Sequence, residues 1–300
     1  MTHAGPPGVH LIDASYFVFR AYYSVGLEMT DGDGQPVNAL YGFSRFLGDL
    51  LEEARPEHVA VAFDESLATS FRNEIFPAYK RNREPAPPEL KRQFGLCREL
   101  CRLLGVAEFG SPTHEADDII GTIATLLRAS GHRAVVVTRD KDLAQLIRDG
   151  DHYWDYAGAR RFAYGDIEGQ FGVRPERMAD FLALMGDSVD NIPGIPGVGP
   201  KTAAALLSVF ASLDEIYAGL DRVGALPVRG AAKLAGKLLQ HREAAYLARR
   251  LTAIACDMPL EVTLETLRRR KPDLSALSIF YDRHRFGPAL RRQAERLASH

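Results

Sequence analysis

The sequence predicts an α/β fold: a mostly parallel sheet flanked by helices, followed by a C-terminal helical domain. Three features lead there. Short Val- and Ile-rich runs recur in the first half, amphipathic helical patterns separate them, and strand signals fade beyond about residue 175. Alternating strand and helix favours parallel pairing, because each parallel strand needs a crossover connection. Residues 1–175 are therefore expected to form the α/β domain and residues 176–300 the helical one.

Runs 9–12, 59–63 and 134–138 are short, apolar and bounded by polar residues, as strands buried on both faces are. Between them, residues 116–127 place Ala116, Ile120, Ile123 and Leu127 on one face of a helix. Residues 153–156 and 161–164 read as a later pair of strands. No internal repeat or low-complexity tract interrupts the chain.

Composition sets the broad class. The 300 residues are 46% hydrophobic and 25% charged, enough for a core that needs no covalent staples. Cys97, Cys101 and Cys256 are odd in number and lack a framework spacing, which points to a reducing compartment. Cys97 and Cys101 lie four apart on a helical pattern with no zinc-spaced partner, so they read as core residues. Residues 1–10 lack the pattern of a signal peptide, and no apolar stretch nears the roughly 20 residues of a membrane span. A cytoplasmic protein without membrane contact is expected. With no coiled-coil pattern, it is expected to be a monomer.

Acidic residues follow the strands. Asp13 follows the first, Asp64 the second, and Asp140 and Asp142 the third. In open α/β sheets the functional crevice lies at the carboxyl ends of the strands. The segment EADD adds Glu115, Asp117 and Asp118 at a helix start, and GDSVDN adds Asp187 and Asp190, three apart. Acids at helix starts are also ordinary caps, worth only about 0.3–1 kcal/mol each. If these nine carboxylates converge, each pair near 4 Å repels by roughly 1–4 kcal/mol. All-oxygen donors of this kind suit two hard ions, Mg²⁺ or Mn²⁺, the usual apparatus of phosphodiester cleavage. Setting the nine aside turns a net charge of −2 into +7 on the remainder, so the near-neutral total does not exclude nucleic acid.

Two further stretches bear on nucleic acid. GDSVDNIPGIPGVGPKTA (186–203) carries Gly194, Gly197 and Gly199, then Lys201 and Thr202 at a helix start. Glycines let backbone N–H groups face an anion beside the positive helix end. The pattern resembles a helix–hairpin–helix turn, which grips backbone without reading sequence. The spacing of a Walker phosphate loop is absent, and a purely structural turn is the bland alternative. Residues 66–95 hold Arg72, Lys80, Arg81, Arg83, Lys91 and Arg92, interleaved with Phe71, Phe76 and Tyr79 and broken by Pro77, Pro85, Pro87 and Pro88. That is either a solvated helix pair or a basic arch whose aromatics stack on bases.

LIDAS (11–15), FRNEIFPAYKRNR (71–83), EADD (115–118), TRDKDLAQL (138–146), GDSVDNIPGIPGVGPKTA (186–203) and FYDRHRFG (280–287) occur in one order. In that order they resemble the bacterial and phage 5′-nucleases, related to flap endonucleases and to the 5′-nuclease domain of DNA polymerase I. The resemblance covers nearly the whole chain. It implies a PIN-like nuclease domain and a helical domain with a helix–three-turn–helix at about 186–210. It implies metal ligation by Asp13, Asp64, Glu115, Asp117, Asp118, Asp140, Asp142, Asp187 and Asp190. Lys80 and Arg83 would address the scissile phosphate from an arch at about 66–95. Arg20, Arg72, Tyr79 and Arg81 would contact substrate. The turn from Gly194 through Gly197 and Gly199 to Lys201 and Thr202 would hold duplex backbone, with K⁺ on its carbonyls. Ala14 departs from the family, which often has Gly there. No polymerase domain follows, so a stand-alone nuclease is expected. Its partners would be DNA with a 5′ flap, 5′ overhang or nick, or an RNA primer on DNA, and a separate polymerase. Three rivals stay open: an inactive binder of branched DNA, a PIN-type ribonuclease, and an enzyme acting on small phosphates.

Overall fold

The computed structural model describes residues 8–26, 28–65, 68–228 and 230–299. Residues 1–7 and Ser66, where the basic stretch was expected to begin, lie outside these. The elements run β1 Gly8–Asp13, α1 Ala14–Ser24, α2 Asn38–Ala54, β2 Val59–Asp64, α3 Phe71–Ile75, α4 Pro88–Leu103, β3 Ala107–Ser111, α5 Ala116–Ala129 and β4 Arg133–Val137. A 3₁₀ turn, Lys141–Leu146, precedes β5 His152–Asp155, β6 Arg160–Ala163 and α6 Tyr164–Phe171. Then follow α7 Met178–Met185, α8 Pro200–Val209, α9 Leu213–Ala218, α10 Leu220–Val223, α11 Ala231–Gln240, α12 Arg242–Thr252, α13 Leu274–Arg283 and α14 Pro288–Ala298.

These elements form two compact units that interleave along the chain. One comprises the described residues within 1–66, 85–139 and 256–300, and the other those within 67–84 and 140–255. In the first, four parallel strands stand in the order β3-β2-β1-β4. Leu11 of β1 sits opposite Ala60 on one side and Val136 on the other. Val9, Leu11, Ile12, Val59, Val61, Val136 and Val137 are fully buried, which is why these strands read as apolar runs without alternation. Helix α5 packs on the sheet with Ile119, Ile120 and Ile123, and α2 buries Phe43, Leu47, Leu50 and Leu51. Each such side chain contributes about 1.5–3 kcal/mol. Cys97 and Cys101 are buried thiols of α4, raised by burial, as core residues should be.

Two parts of this unit differ from expectation. Strand β3, with sequence AEFGS, carries too few branched residues to signal a strand, and its pairing to β2 decides its state. The chain beyond residue 175 is not helical throughout. Residues 253–273 are irregular, and the Val59 amide donates to the Leu267 carbonyl at 2.8 Å.

The second unit holds the antiparallel hairpin β5–β6 and helices α6 to α12. Helix α7 packs against α12 and α8 around Leu182, Leu184, Leu206, Leu207, Ala248 and Leu251. Residues 68–84 belong here: Ile75, Phe76 and Tyr79 join a cluster with Ala183, Ile192, Ala248 and Leu251. Among the described residues no helix is long and apolar enough to cross a membrane.

Candidate active site

In the first unit the parallel sheet carries Asp13 and Asp64 to the same edge. Asp13 caps α1, accepting from the Tyr16 amide at 3.4 Å, and its other oxygen accepts from the Thr138 hydroxyl at 2.9 Å. Asp64 Oδ1 accepts the Ala116 amide at 2.8 Å, which docks the start of α5 against the end of β2. The Glu115 amide in turn donates to Asp118 Oδ2 at 3.0 Å. Asp118 and Glu115 are buried while Asp117 is half-buried. Some of these acids thus serve as caps, and the bland reading holds for part of each side chain's capacity.

In the second unit Asp140, Asp142, Asp187 and Asp190 share one electrostatic neighbourhood. Burial, then the adjacent Asp140, raise the Asp142 carboxyl to about 8, with Asp187 and Asp190 adding to it. Its Oδ1 is buried without a hydrogen-bond partner among the described residues. Asp140 is exposed, yet the protein mass around it desolvates the carboxylate and raises its pKa. Asp140 caps the 3₁₀ turn, its Oδ1 accepting the Asp142 amide at 2.9 Å, and the Tyr153 hydroxyl donates to the Asp140 carbonyl at 3.1 Å.

Burial pulls Asp187 upward, but the Lys141 ammonium at 3.1 Å holds it net below its usual value. Asp190 pairs with Arg83 and lies 3.7 Å from Lys80 Nζ. Lys80 adopts φ 52°, and its amide donates to the Asp190 carbonyl at 2.9 Å. The basic stretch is thus tied to the acidic loop by main chain as well as by charge. Asn82 donates to the Ser188 carbonyl at 2.9 Å and Asn191 to the Ala78 carbonyl at 2.6 Å, and both reinforce that tie.

The glycine turn is built by close approach. Gly186 closes α7 at φ 74°, and a side-chain carbon at Gly194 would collide with the Met185 carbonyl and the Gly186 amide. Gly197 sits at φ 80°. Ile195 and Val198 are buried and anchor the turn, whereas Gly197, Gly199 and Lys201 are exposed. Neither the Gly197 nor the Gly199 amide reaches an acceptor among the described residues. Pro200 begins α8, so two open amides lie beside the positive end of a helix. Lys237 donates to the Pro196 carbonyl at 3.3 Å.

Arg20 and Arg81 are exposed, with no carboxylate within ion-pair distance among the described residues. Thr202 is half-buried in the first turn of α8. Two expected substrate contacts need correction. Arg72 is 3% exposed and its guanidinium donates to the carbonyls of Leu251 at 2.9 Å and Ala253 at 3.0 Å. Tyr79 is 5% exposed, its ring packed in the second unit's core. Both lie in a basic-aromatic run whose pattern cannot tell a stacking ring from a packing one. Lys141, Asn82, Asn191 and Lys237 were not singled out from sequence. Lys141 had a signal, since it stands between two counted acids, but the others had none.

The donor set is all oxygen, and the crowded carboxylates of the second unit favour a divalent cation over another proton, so the residues fit Mg²⁺ or Mn²⁺. Among the described residues, however, no three His, Cys, Asp or Glu side chains close into an ion cage.

Comparisons with known proteins bear on the family and the fold. A model of the 5′-3′ exonuclease N-terminal, resolvase-like domain matches residues 8–172, and one of the 5′-3′ exonuclease C-terminal SAM fold matches residues 173–275. A 5′-3′ exonuclease of Buchnera aphidicola is 32% identical over 273 residues, covering 90% of this chain and 94% of the relative. A thermostable DNA polymerase I of Thermus filiformis is 38% identical over 285 residues, 95% of this chain. The chain spans only 33% of that polymerase's length. Among solved structures, a bacteriophage T5 flap endonuclease in a pseudo-enzyme–product complex with DNA and metal ions superposes with a TM-score of 0.63. The match covers 98% of this chain and 100% of that one, and at 19% identity it is a likeness of fold.

Proposed function

Because the chain belongs to the 5′-3′ exonuclease family, we propose that it hydrolyses DNA phosphodiester bonds at a 5′ end, flap, overhang or nick. The products are a 5′-phosphate and a 3′-hydroxyl. The observation that carries this reading is the join between the basic stretch and the acidic loop. Lys80 and Arg83 are held at Asp190, next to Asp140 and Asp142, where cations can meet a phosphate and carboxylates can meet a metal.

Asp13, Asp64, Glu115, Asp117, Asp118, Asp140, Asp142, Asp187 and Asp190 are the proposed metal ligands. Two Mg²⁺ or Mn²⁺ ions, when bound, supply water activation and shielding of the leaving oxygen. The chain's own groups do the rest. Lys80 and Arg83 stabilise charge developing on the phosphoryl oxygens. The Gly197 and Gly199 amides with Lys201 hold duplex backbone without reading bases. Arg20 and Arg81, both exposed, add phosphate contacts. K⁺ is proposed at turn carbonyls other than that of Pro196, which Lys237 already serves. A cytoplasmic monomer that receives RNA-primed or flapped DNA from a separate polymerase is the setting that goes with this chemistry.

Cleavage of an end-labelled 5′-flap duplex tests the reading. Cutting is expected with Mg²⁺ and none with EDTA. Asp13→Asn, Asp140→Asn and Lys80→Ala should each lower turnover by about 100-fold or more with far smaller changes in flap affinity. Normal cutting by these variants would overturn the site assignment. Activity on nucleotides alone, or on RNA flaps in preference to DNA flaps, would overturn the substrate.

A further inference from the structure

A cavity of about 460 Å³ opens in the first unit, away from the carboxylate edge of the sheet. Its walls include Arg55 and Glu57, just before β2, and the run Arg268, Arg269, Arg270 and Lys271. Strand β2 ends at Asp64, so roughly 20 Å of strand separates this cavity from that carboxylate. Five cations face one acid.

The cationic run is not a loose tail. The Arg269 amide donates to the Glu57 carbonyl at 2.8 Å and the Arg270 amide to the Gly105 carbonyl at 2.8 Å. A bridge between His58 and Arg268 extends the pairing. The Arg269 side chain donates to the Leu297 carbonyl at 2.7 Å, and burial lowers its pKa. Among the described residues Glu57 reaches only Arg268, at 3.8 Å, and Arg268 also reaches Glu265 at 3.8 Å. Arg55, Arg269, Arg270 and Lys271 have no carboxylate within 4.0 Å among the described residues. Cations gathered at one cavity without a counter-charge repel one another, so an anion entering there lowers the energy of all of them.

We propose that this pocket binds phosphate groups, from either a nucleic-acid backbone or a free nucleotide. Guanidinium forks match phosphate oxygens two at a time, and four of the five cations are arginines. The volume suits a small anionic ligand or a few backbone phosphates. The assignment does not depend on the nuclease reading, and its test needs no cleavage.

Binding is measured by calorimetry on the full chain in EDTA, with a 5′-mononucleotide and with a short blunt duplex as separate probes. Arg268→Gln, Arg270→Gln and Lys271→Gln combined should weaken at least one probe about tenfold or more, with an unchanged melting temperature. Loss of nucleotide binding identifies a free-nucleotide site, and loss confined to the duplex identifies a backbone site. Either result supports the pocket. Glu57→Gln changes the charge in the opposite sense and should tighten the same probe roughly threefold, which keeps the test open if the triple variant does not fold. Equal binding of both probes by the wild type and the pocket variants overturns the proposal. So does tighter binding of oligoglutamate than of either phosphate probe.

Discussion

Single residues carry two consequences that the nuclease chemistry does not explain. His284 is 1% exposed, lies edge-on to Phe280 at 4.5 Å, and neither ring nitrogen has a hydrogen-bond partner among the described residues. Burial first, then Arg283 and Arg92, lower its pKa, while Asp31 at 4.0 Å works the other way. The folded state therefore binds fewer protons here than the unfolded chain, whose histidine titrates near ~6.5. That stability is fully present above the unfolded value and is lost as pH falls toward the depressed folded one. Denaturant titrations at pH 7.5 and 5.5 should show the wild type losing stability, and His284→Phe losing less. An identical loss in both proteins would assign the effect elsewhere. Arg72 makes a different case. Arg72→Met leaves the Leu251 and Ala253 carbonyls without their donor, so about 2–4 kcal/mol of stability should go. Flap affinity of the folded fraction should stay near that of the wild type. A selective loss of affinity with stability intact would return Arg72 to the substrate-binding set.

At the scale of elements, the three glycines of the turn separate. Gly194 packs directly on the end of α7, so Gly194→Ala should destabilise by about 3 kcal/mol and open the turn. Gly199 is extended, and a side-chain carbon there meets nothing, so Gly199→Ala should change stability by less than about 0.5 kcal/mol. Thermal melts of the two variants decide it, and equal destabilisation would mean the turn is not built by close approach. The sequence showed that a turn stood here, because Gly and Pro punctuate it, but not which glycine is structural. That depends on α7, a neighbour the local pattern does not contain. The same limit applies to β3. The runs that became β1, β2 and β4 were legible because burial on both faces demands Val and Ile, whereas AEFGS is held by its pairing to β2. Arg72 and Tyr79 misled for a related reason. A stretch packed on a core and one facing a substrate can carry the same mix of cations and aromatics, and only the burial of Arg72 and Tyr79 tells the two apart.

For the whole molecule, charge is arranged rather than accumulated. A net charge of −2 is compatible with DNA binding only if the acids are gathered where cations answer them and the bases face outward. Within the second unit this holds: Asp187 meets Lys141, and Asp190 meets Lys80 and Arg83, while Lys201 and Arg81 stay exposed. The acidic positions were readable from their places in the sequence, but which cation meets which acid, Lys141 with Asp187 above all, needed the fold. A protein that binds through such outward bases releases counterions from the DNA as it docks. Its affinity must then fall steeply with salt, by about 1,000-fold or more between about 50 and 200 mM if six or more phosphates are engaged. Fluorescence anisotropy of a labelled 5′-flap duplex, with Ca²⁺ in place of Mg²⁺ to hold back cutting, should give that slope. Lys201→Ala should reduce the slope by about one and weaken all duplex sequences alike, because backbone contacts carry no sequence information. An affinity flat across that range, or a Lys201→Ala effect confined to particular sequences, would mean that something other than phosphate is being held.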